Sequence, residues 1–272
     1  MLDKYYFYDN LKKHLENNFY SKQLFMRTNK DVFNLARNFV KYKDKATNED
    51  FYNHVLSQLK DKPVEETNTR VRKEINLRST KTLNEFIERI DEWKKIKDNK
   101  KKKLLDVGAG KGDKTLLTRK FFNIPFNNTY CLELEKNNKK EQVKEACKFK
   151  FYKGDVFPFE KDEFDVVTVF LVIHNVYNLK EFFKEIKRVI KKDGFLIIRE
   201  HDINQEEERA NLHLLHFLYN LKDRLSYDEN MFGTFRSSKE IIKIVEDNKF
   251  KFIKLSNASG FTRARYLIFQ SK

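Results

Sequence analysis

The sequence is short of chain-breaking residues. Its 272 residues contain seven glycines and three prolines. Residues 1 to about 100 hold no glycine and one proline, Pro63, so helical spacing dominates there and few turns are signalled. Cysteine is scarcer still. Cys131 and Cys147 show neither paired metal spacing nor a disulfide framework, and both read as buried thiols in a reducing compartment. No run is long and apolar enough to span a membrane, and the first residues lack an apolar signal core. The expectation is a soluble, cytoplasmic protein.

The chain does contain enough apolar surface for a core, with 40% hydrophobic and 14% aromatic residues. Fifty-six basic residues face 41 acidic ones, a net charge of +15. That balance suits an acidic partner such as nucleic acid. It also suits a lysine- and asparagine-rich composition with no such meaning, and counting does not separate the two.

In the first part, Leu11, Leu15 and Phe19 fall on one helical face. Phe33, Leu35, Ala36, Phe39 and Val40 mark a second helix, capped by Asn29 or Asp31. Phe51, Val55 and Leu59 mark a third, stopped at Pro63. Thr80 can cap a fourth, whose apolar stripe is Leu83, Phe86, Ile87, Ile90, Trp93 and Ile96. From residue 104 strands alternate with helices, which predicts an α/β parallel sheet. Strands are predicted at 103–107, 129–134, 149–152, 164–170 and 195–199, followed by an antiparallel pair at 251–256 and 265–269. Helices are predicted at 179–190 and 204–224, and Ser237 or Ser238 caps another through Glu246. The predicted division is a helical accessory region, 1–78, and a sheet domain, 79–272.

The sheet domain begins with Asp106-Val107-Gly108-Ala109-Gly110-Lys111-Gly112. A strand thus runs into a glycine turn that opens a helix, an arrangement that lets a ligand approach the backbone. No Gly-Lys-Ser/Thr ending follows, so this is not a triphosphate loop. The spacing also departs from Gly-x-Gly-x-x-Gly, and Asp106 would repel a pyrophosphate. The stretch resembles motif I of the class I S-adenosylmethionine-dependent methyltransferases, and the strand order from about residue 80 onward resembles their seven-stranded Rossmann-like sheet. There is a fainter similarity to methyltransferases of large DNA viruses.

The resemblance implies S-adenosylmethionine as cofactor. Glu133, with Glu135 as the neighbouring alternative, would accept from the ribose hydroxyls, and Asp155 with Val156 would contact adenine. The implied cofactor set is Asp106, Gly108, Ala109, Gly110, Gly112, Glu133, Leu134, Asp155, Val156, Phe170 and Leu171. The implied catalytic and acceptor-positioning set is His174, Asn175, Tyr177, Arg199 and His201. No metal is expected; His213 and His216, three apart on a helix, suit a packed face. Asp202 suits a cap on the helix that follows it.

Absent motifs narrow the acceptor. There is no Asn/Asp-Pro-Pro-Tyr/Phe after the fourth strand, no cysteine nucleophile beside the cleft, and no aspartate where the cap ribose methyltransferases place one. An acceptor needing little proton transfer remains, such as a ring nitrogen of RNA or of an RNA cap. Two further readings stay open: methyl transfer to a small molecule or protein, and a non-catalytic partner subunit of the same fold. The expected partners are RNA and a protein bound through the N-terminal helices, with no membrane.

Overall fold

A computed structural model describes residues 3–17, 22, 30–59, 77, 80–88, 90, 91, 93, 94, 101–135, 142–222, 226–228, 232–257 and 263–272. Phe19, Asn29, Pro63, Ile96 and Arg224, the last residue of the helix expected at 204–224, lie outside the described residues. The chain divides into two compact units: Met1–Thr69 with Ile203–Phe235, and Arg70–Asp202 with Arg236–Lys272.

The first unit is helical. It contains α1 (Tyr6–Glu16), α2 (Lys30–Tyr42), α3 (Asn48–Leu59) and α6 (Glu206–Lys222). Helix α6 buries Ala210, Leu212, Leu214, Leu215, Phe217, Leu218 and Leu221, apolar positions that cover too much of its circumference for a surface helix. Its burial comes from the N-terminal helices. The Phe217 ring lies 4.7 Å from Phe7 and 4.9 Å from Phe51, and Phe7 lies 4.4 Å from Phe232. The Asn48 side chain ties α1 to α3, accepting from Phe7 N–H at 2.9 Å and donating to Asp3 C=O at 2.7 Å.

This division differs from the predicted boundary at 78. Residues 203–235 group with the N-terminal helices, because the apolar face of α6 and the aromatic side chains of α1 and α3 bury one another.

The second unit is a seven-stranded sheet in the order β3-β2-β1-β4-β5-β7-β6. The strands are β1 (Leu104–Val107), β2 (Thr129–Leu134), β3 (Lys148–Tyr152), β4 (Phe164–Phe170), β5 (Ile190–His201), β6 (Phe250–Leu255) and β7 (Ala264–Ser271). The first five pair in parallel, and β7 joins β5 and β6 antiparallel. This is the Rossmann-like class I sheet that the strand order predicted.

Alternation sends neighbouring side chains to opposite faces. Leu105, Val107, Val167, Leu196 and Ile198 pack with Phe183 and Ile186 of α5 (Leu179–Val189) and Val245 of α7 (Ser238–Asp247). Leu104, Val166, Phe195 and Ile197 pack on the other face with Leu83 and Ile87, which lie in the helical stretch 80–87, and with Trp93. Both faces of β1 and β4 are therefore covered, which accounts for their nearly continuous apolar sequence.

Local signals fix the helix starts. Asn178 caps α5 by accepting from Glu181 N–H. Ser237 and Glu240 form a reciprocal capping box on α7. Asp202 accepts from Ser238 N–H at 2.7 Å, at the start of α7, and pairs with Arg265 at 2.6 Å. The two cysteines also depart from expectation. Cys147, just before β3, lies beside Cys131 of the neighbouring β2, with Cα atoms 5.8 Å apart, and the two form a disulfide. Sequence separation hid this pairing because the parallel strand return brings the two residues together.

Phe217→Ala should destabilise the helical unit by about 3–5 kcal/mol, because a buried ring shared by two neighbouring helices would leave a cavity. Deleting residues 1–69 should abolish cooperative unfolding of 203–235, followed by urea titration with fluorescence. A deletion variant in which 203–235 stays protected from hydrogen exchange would contradict this packing account.

Candidate functional site

The glycine turn leaves β1 and opens α4 (Asp113–Phe121). Gly108, Gly110 and Gly112 all have positive φ, at 71°, 58° and 89°, which side-chain-bearing residues adopt only under strain. Their surroundings differ. A Cβ on Gly108 would collide with Val172, and one on Gly112 would meet Ala146 at 2.9 Å. A Cβ on Gly110 would meet nothing within 4 Å. Two glycines therefore allow close packing, while Gly110 faces open space where a ligand can approach the backbone.

Glu133, at the end of β2, borders that space. Its Oε2 accepts from Gly110 N–H at 2.8 Å and its Oε1 from Leu134 N–H at 2.9 Å. These two bonds orient the Glu133 carboxylate against the turn. Ala109 lies within the turn, and its C=O accepts from Gly112 N–H at 3.0 Å.

Asp106 is buried beneath the turn rather than open to it. It accepts from Thr115 Oγ1 of α4 and, at 2.7 Å, from Thr168 Oγ1 of β4. Burial pushes its carboxyl up to about 6, against the opposing effects of the two hydroxyls and Lys114.

Asp155 and Val156 follow β3 and are exposed. The segment after them is pinned to α5. Glu185 accepts from Phe157 N–H at 2.8 Å, while Arg188 donates to Phe157 C=O at 2.8 Å and to Phe159 C=O at 2.7 Å. A Glu185–Arg188 pair at 2.8 Å completes this clamp.

Beyond β4, Leu171 takes a left-handed φ of 60° and donates its N–H to Arg199 C=O at 2.7 Å. The chain then makes a short 3-10 turn over Ile173–Asn175. His174 is buried there, and its Nδ1 lies 2.9 Å from Glu200 Oε1. Glu200 also accepts from His174 N–H at 3.3 Å and His201 N–H at 2.9 Å. Burial alone would raise the Glu200 carboxyl, but the His174 and His201 groups outweigh it and hold the carboxyl down to about 2. Asn175 and Tyr177 are exposed, Tyr177 almost completely at 99%.

Possible ligand atoms of His174, Glu200 and His201 all lie within 4.8 Å of one another, so they are the group of described residues able to share a metal ion. His213 and His216 lie in the other unit. His213 bonds Tyr6 Oη at 3.0 Å, and both rings pack on Phe235. Burial pushes His213 down to about 4.

A second group lies on the opposite face at the ends of β4, β5 and β7. Phe170, Arg199 and Tyr266 are in register. The Arg199 guanidinium carbon is 5.7 Å from the Tyr266 ring. Lys114, from the first turn of α4, donates to Tyr266 Oη at 3.0 Å and lies 5.3 Å from the Phe170 ring. Burial, then the charge of Arg199, pushes the Lys114 ammonium down to about 6.

The structure thus brings Gly110 to Glu133, His174 to His201, and Phe170 to Arg199. Sequence reasoning missed Lys114, Thr115, Thr168 and Glu185 as site residues. For Thr168 a signal existed: it interrupts an apolar strand with a polar residue.

Residues 105–198 match the family model described as methyltransferase domain. A stretch of 154 residues is 29% identical to an uncharacterized protein of Methanocaldococcus jannaschii, covering 55% of this chain and 65% of that protein. Thus the match spans less than two thirds of that relative's length. Among solved structures, the mitomycin 7-O-methyltransferase aligns with a TM-score of 0.51 at 14% identity, over 80% of this chain and 60% of its own. A Haloferax volcanii protein described as a methyltransferase, solved with the Trm112 methyltransferase activator, aligns at 0.48 and 14% identity over 66% of this chain and 90% of its own.

The raised carboxyl of Asp106 gives a signed pH dependence. An acid with a folded pKa above its unfolded value takes up protons on folding, so its favourable contribution is complete below about pH 4. That contribution is lost as pH rises through about 6. Asp106→Asn should remove this loss, on the order of 3 kcal/mol between pH 4 and 7, as measured by urea unfolding at each pH. Parallel pH profiles for the two proteins would contradict an acid titrating in this range.

Proposed function

We propose that this chain, whose residues 105–198 match the methyltransferase domain model, is a class I S-adenosylmethionine-dependent methyltransferase that transfers a methyl group from S-adenosylmethionine to a ring nitrogen of RNA or an RNA cap. The observation that carries the cofactor assignment is the open space over Gly110, bordered by Glu133. In this reading Glu133 receives the ribose hydroxyls, while Asp155 and Val156 receive adenine. The acid of Asp106 keeps the turn in place from below. Bound S-adenosylmethionine supplies a methyl group activated by the positive charge of its sulfur. The chain's remaining task is to align the acceptor and exclude water.

The net charge of +15 supports a phosphate-bearing acceptor, and exposed Tyr177 offers a ring on which a base can stack. A hydroxyl acceptor on a small molecule is the second reading, favoured by the buried His174–Glu200 pair. A carboxylate that orients an imidazole is suited to accepting an acceptor's proton. We assign the helical unit an accessory role in binding the acceptor or a partner protein.

S-adenosylhomocysteine should bind the full chain in calorimetric titration. Glu133→Ala should weaken it by about 1.5–3 kcal/mol, and Gly110→Val should abolish detectable binding. Labelled-methyl transfer should favour capped RNA over protein and metabolites in moderate salt. Transfer only to a hydroxylated metabolite would establish the second reading. Cofactor binding unchanged in both variants would remove the site assignment.

A further inference from the structure

We propose that Glu185 and Arg188 of α5 are positioning residues for the adenine end of the cofactor: their ion pair fixes the backbone that follows β3 and so presents Asp155 and Val156 at the strand end. The inference rests on the methyltransferase reading, and adds to it two residues that act through the backbone of others.

Place gives the first argument. Residues 153–156 link Tyr152, the last residue of β3, to Phe157. Leu134 pairs in register with Tyr152, and a Cβ on Gly154 would stand 3.4 Å from Leu134. The link therefore runs beside the end of β2, next to Glu133. Burial, then the charges of Glu133 and Asp155, pushes the Tyr152 hydroxyl up to about 12. One tyrosine thus feels both acids, and the proposed ribose and adenine contacts are neighbours.

The second argument is what holds the link. Asp155 and Val156 are exposed, so apolar burial does not fix them. Their anchor is the buried Phe157, whose ring lies 5.3 Å from Tyr152 and 6.0 Å from Phe182 of α5. Helix α5 takes the backbone of this anchor from both sides. Glu185 Oε2 accepts from Phe157 N–H at 2.8 Å, Arg188 Nη2 donates to Phe157 C=O at 2.8 Å, and Arg188 Nη1 donates to Phe159 C=O at 2.7 Å. The guanidinium also meets Glu185 directly, Nε to Oε1 at 2.9 Å and Nη2 to Oε2 at 2.8 Å. This is a fork-to-fork pair one helical turn apart. Hydrogen bonding to Arg188 holds the Glu185 carboxyl below its usual range, and hydrogen bonding to Glu185 holds the guanidinium above its own. A lysine at 188 would be a single point of charge, unable to span two carbonyls and a carboxylate in one plane. A loop already fixed in its binding form pays less ordering entropy when ligand arrives.

Adenine carries an amino group that donates to a carboxylate, and hypoxanthine carries a carbonyl there that cannot. S-adenosylhomocysteine and S-inosylhomocysteine, which differ only in the base, are titrated by calorimetry into the full chain. The proteins compared are wild type, Glu185→Gln, Arg188→Lys, Arg188→Met and, as a control at the ribose, Glu133→Ala. Urea unfolding checks that each is folded.

Wild type should prefer S-adenosylhomocysteine by at least about tenfold. Arg188→Met should weaken that ligand about tenfold and change S-inosylhomocysteine by less than about twofold, so that base discrimination is lost. Arg188→Lys should fall between, and it carries the comparison if Arg188→Met does not fold. Glu185→Gln, which keeps an acceptor for Phe157 N–H, should lose least. Glu133→Ala should weaken both ligands alike, because they share the ribose. Equal weakening of both in the Arg188 variants, with discrimination kept, would show general loosening and overturn this proposal alone, as would unchanged affinities. Wild type that bound both equally would remove the adenine assignment of Asp155 and Val156 and this proposal with it. Wild type that bound neither would overturn the cofactor reading itself.

Discussion

The Asp106 carboxylate, held between the hydroxyls of Thr115 and Thr168, is the constraint on which the site depends. It stands at the end of β1, one hydroxyl comes from β4, and the other comes from the helix after the glycine turn. A single buried group thus links the central strand, its neighbour and the far end of the turn. Burial costs the charged acid, as its raised pKa records, and that cost is tolerable because both hydroxyls point at it. With the turn fixed from below, Gly110 N–H is presented to Glu133 above it. The same bond orients Glu133, so cradle and proposed ribose acceptor are built by one contact.

The two faces of the sheet divide the chemistry beyond this cradle. Along β5, Glu200 and Arg199 point to opposite faces because successive strand residues alternate. Glu200 accepts from the backbone N–H groups of His174 and His201 and lies 2.9 Å from His174 Nδ1. Arg199 lies over the Tyr266 ring on the other face, and Lys114 donates to the Tyr266 hydroxyl. An imidazole–carboxylate pair and a cation–aromatic cluster thus arise from adjacent residues of one strand. The first suits proton handling.

Much of the sheet was legible in the sequence. Apolar β4 and the alternation of strand and helix predicted a covered parallel sheet, and the glycine spacing located the turn after β1. Ser237 was legible as a cap because serine followed by Glu240 forms a box within one helical turn. What was hidden required distant residues to meet. Lys114 reads as a surface lysine until Phe170 and Tyr266 arrive from other strands. Cys131 and Cys147 read as separate thiols until β2 and β3 pair. Asp202 reads as a cap for the next helix, yet it meets the N–H of Ser238, 36 residues on. The place of α6 was hidden for the same reason: its apolar girth signals burial but does not name the elements that bury it. Among the glycines, spacing alone did not separate Gly110, which faces open space, from Gly108 and Gly112, which serve packing.

The central claim is that S-adenosylmethionine lies over Gly110, between Glu133 and the residues that follow β3. Amide hydrogen exchange of the full chain with and without S-adenosylhomocysteine tests it most directly. The account predicts slower exchange on binding at residues 108–112, 133–135 and 154–157, with β6 unchanged. Binding that leaves those three segments unprotected, or that protects only 203–235, would contradict it.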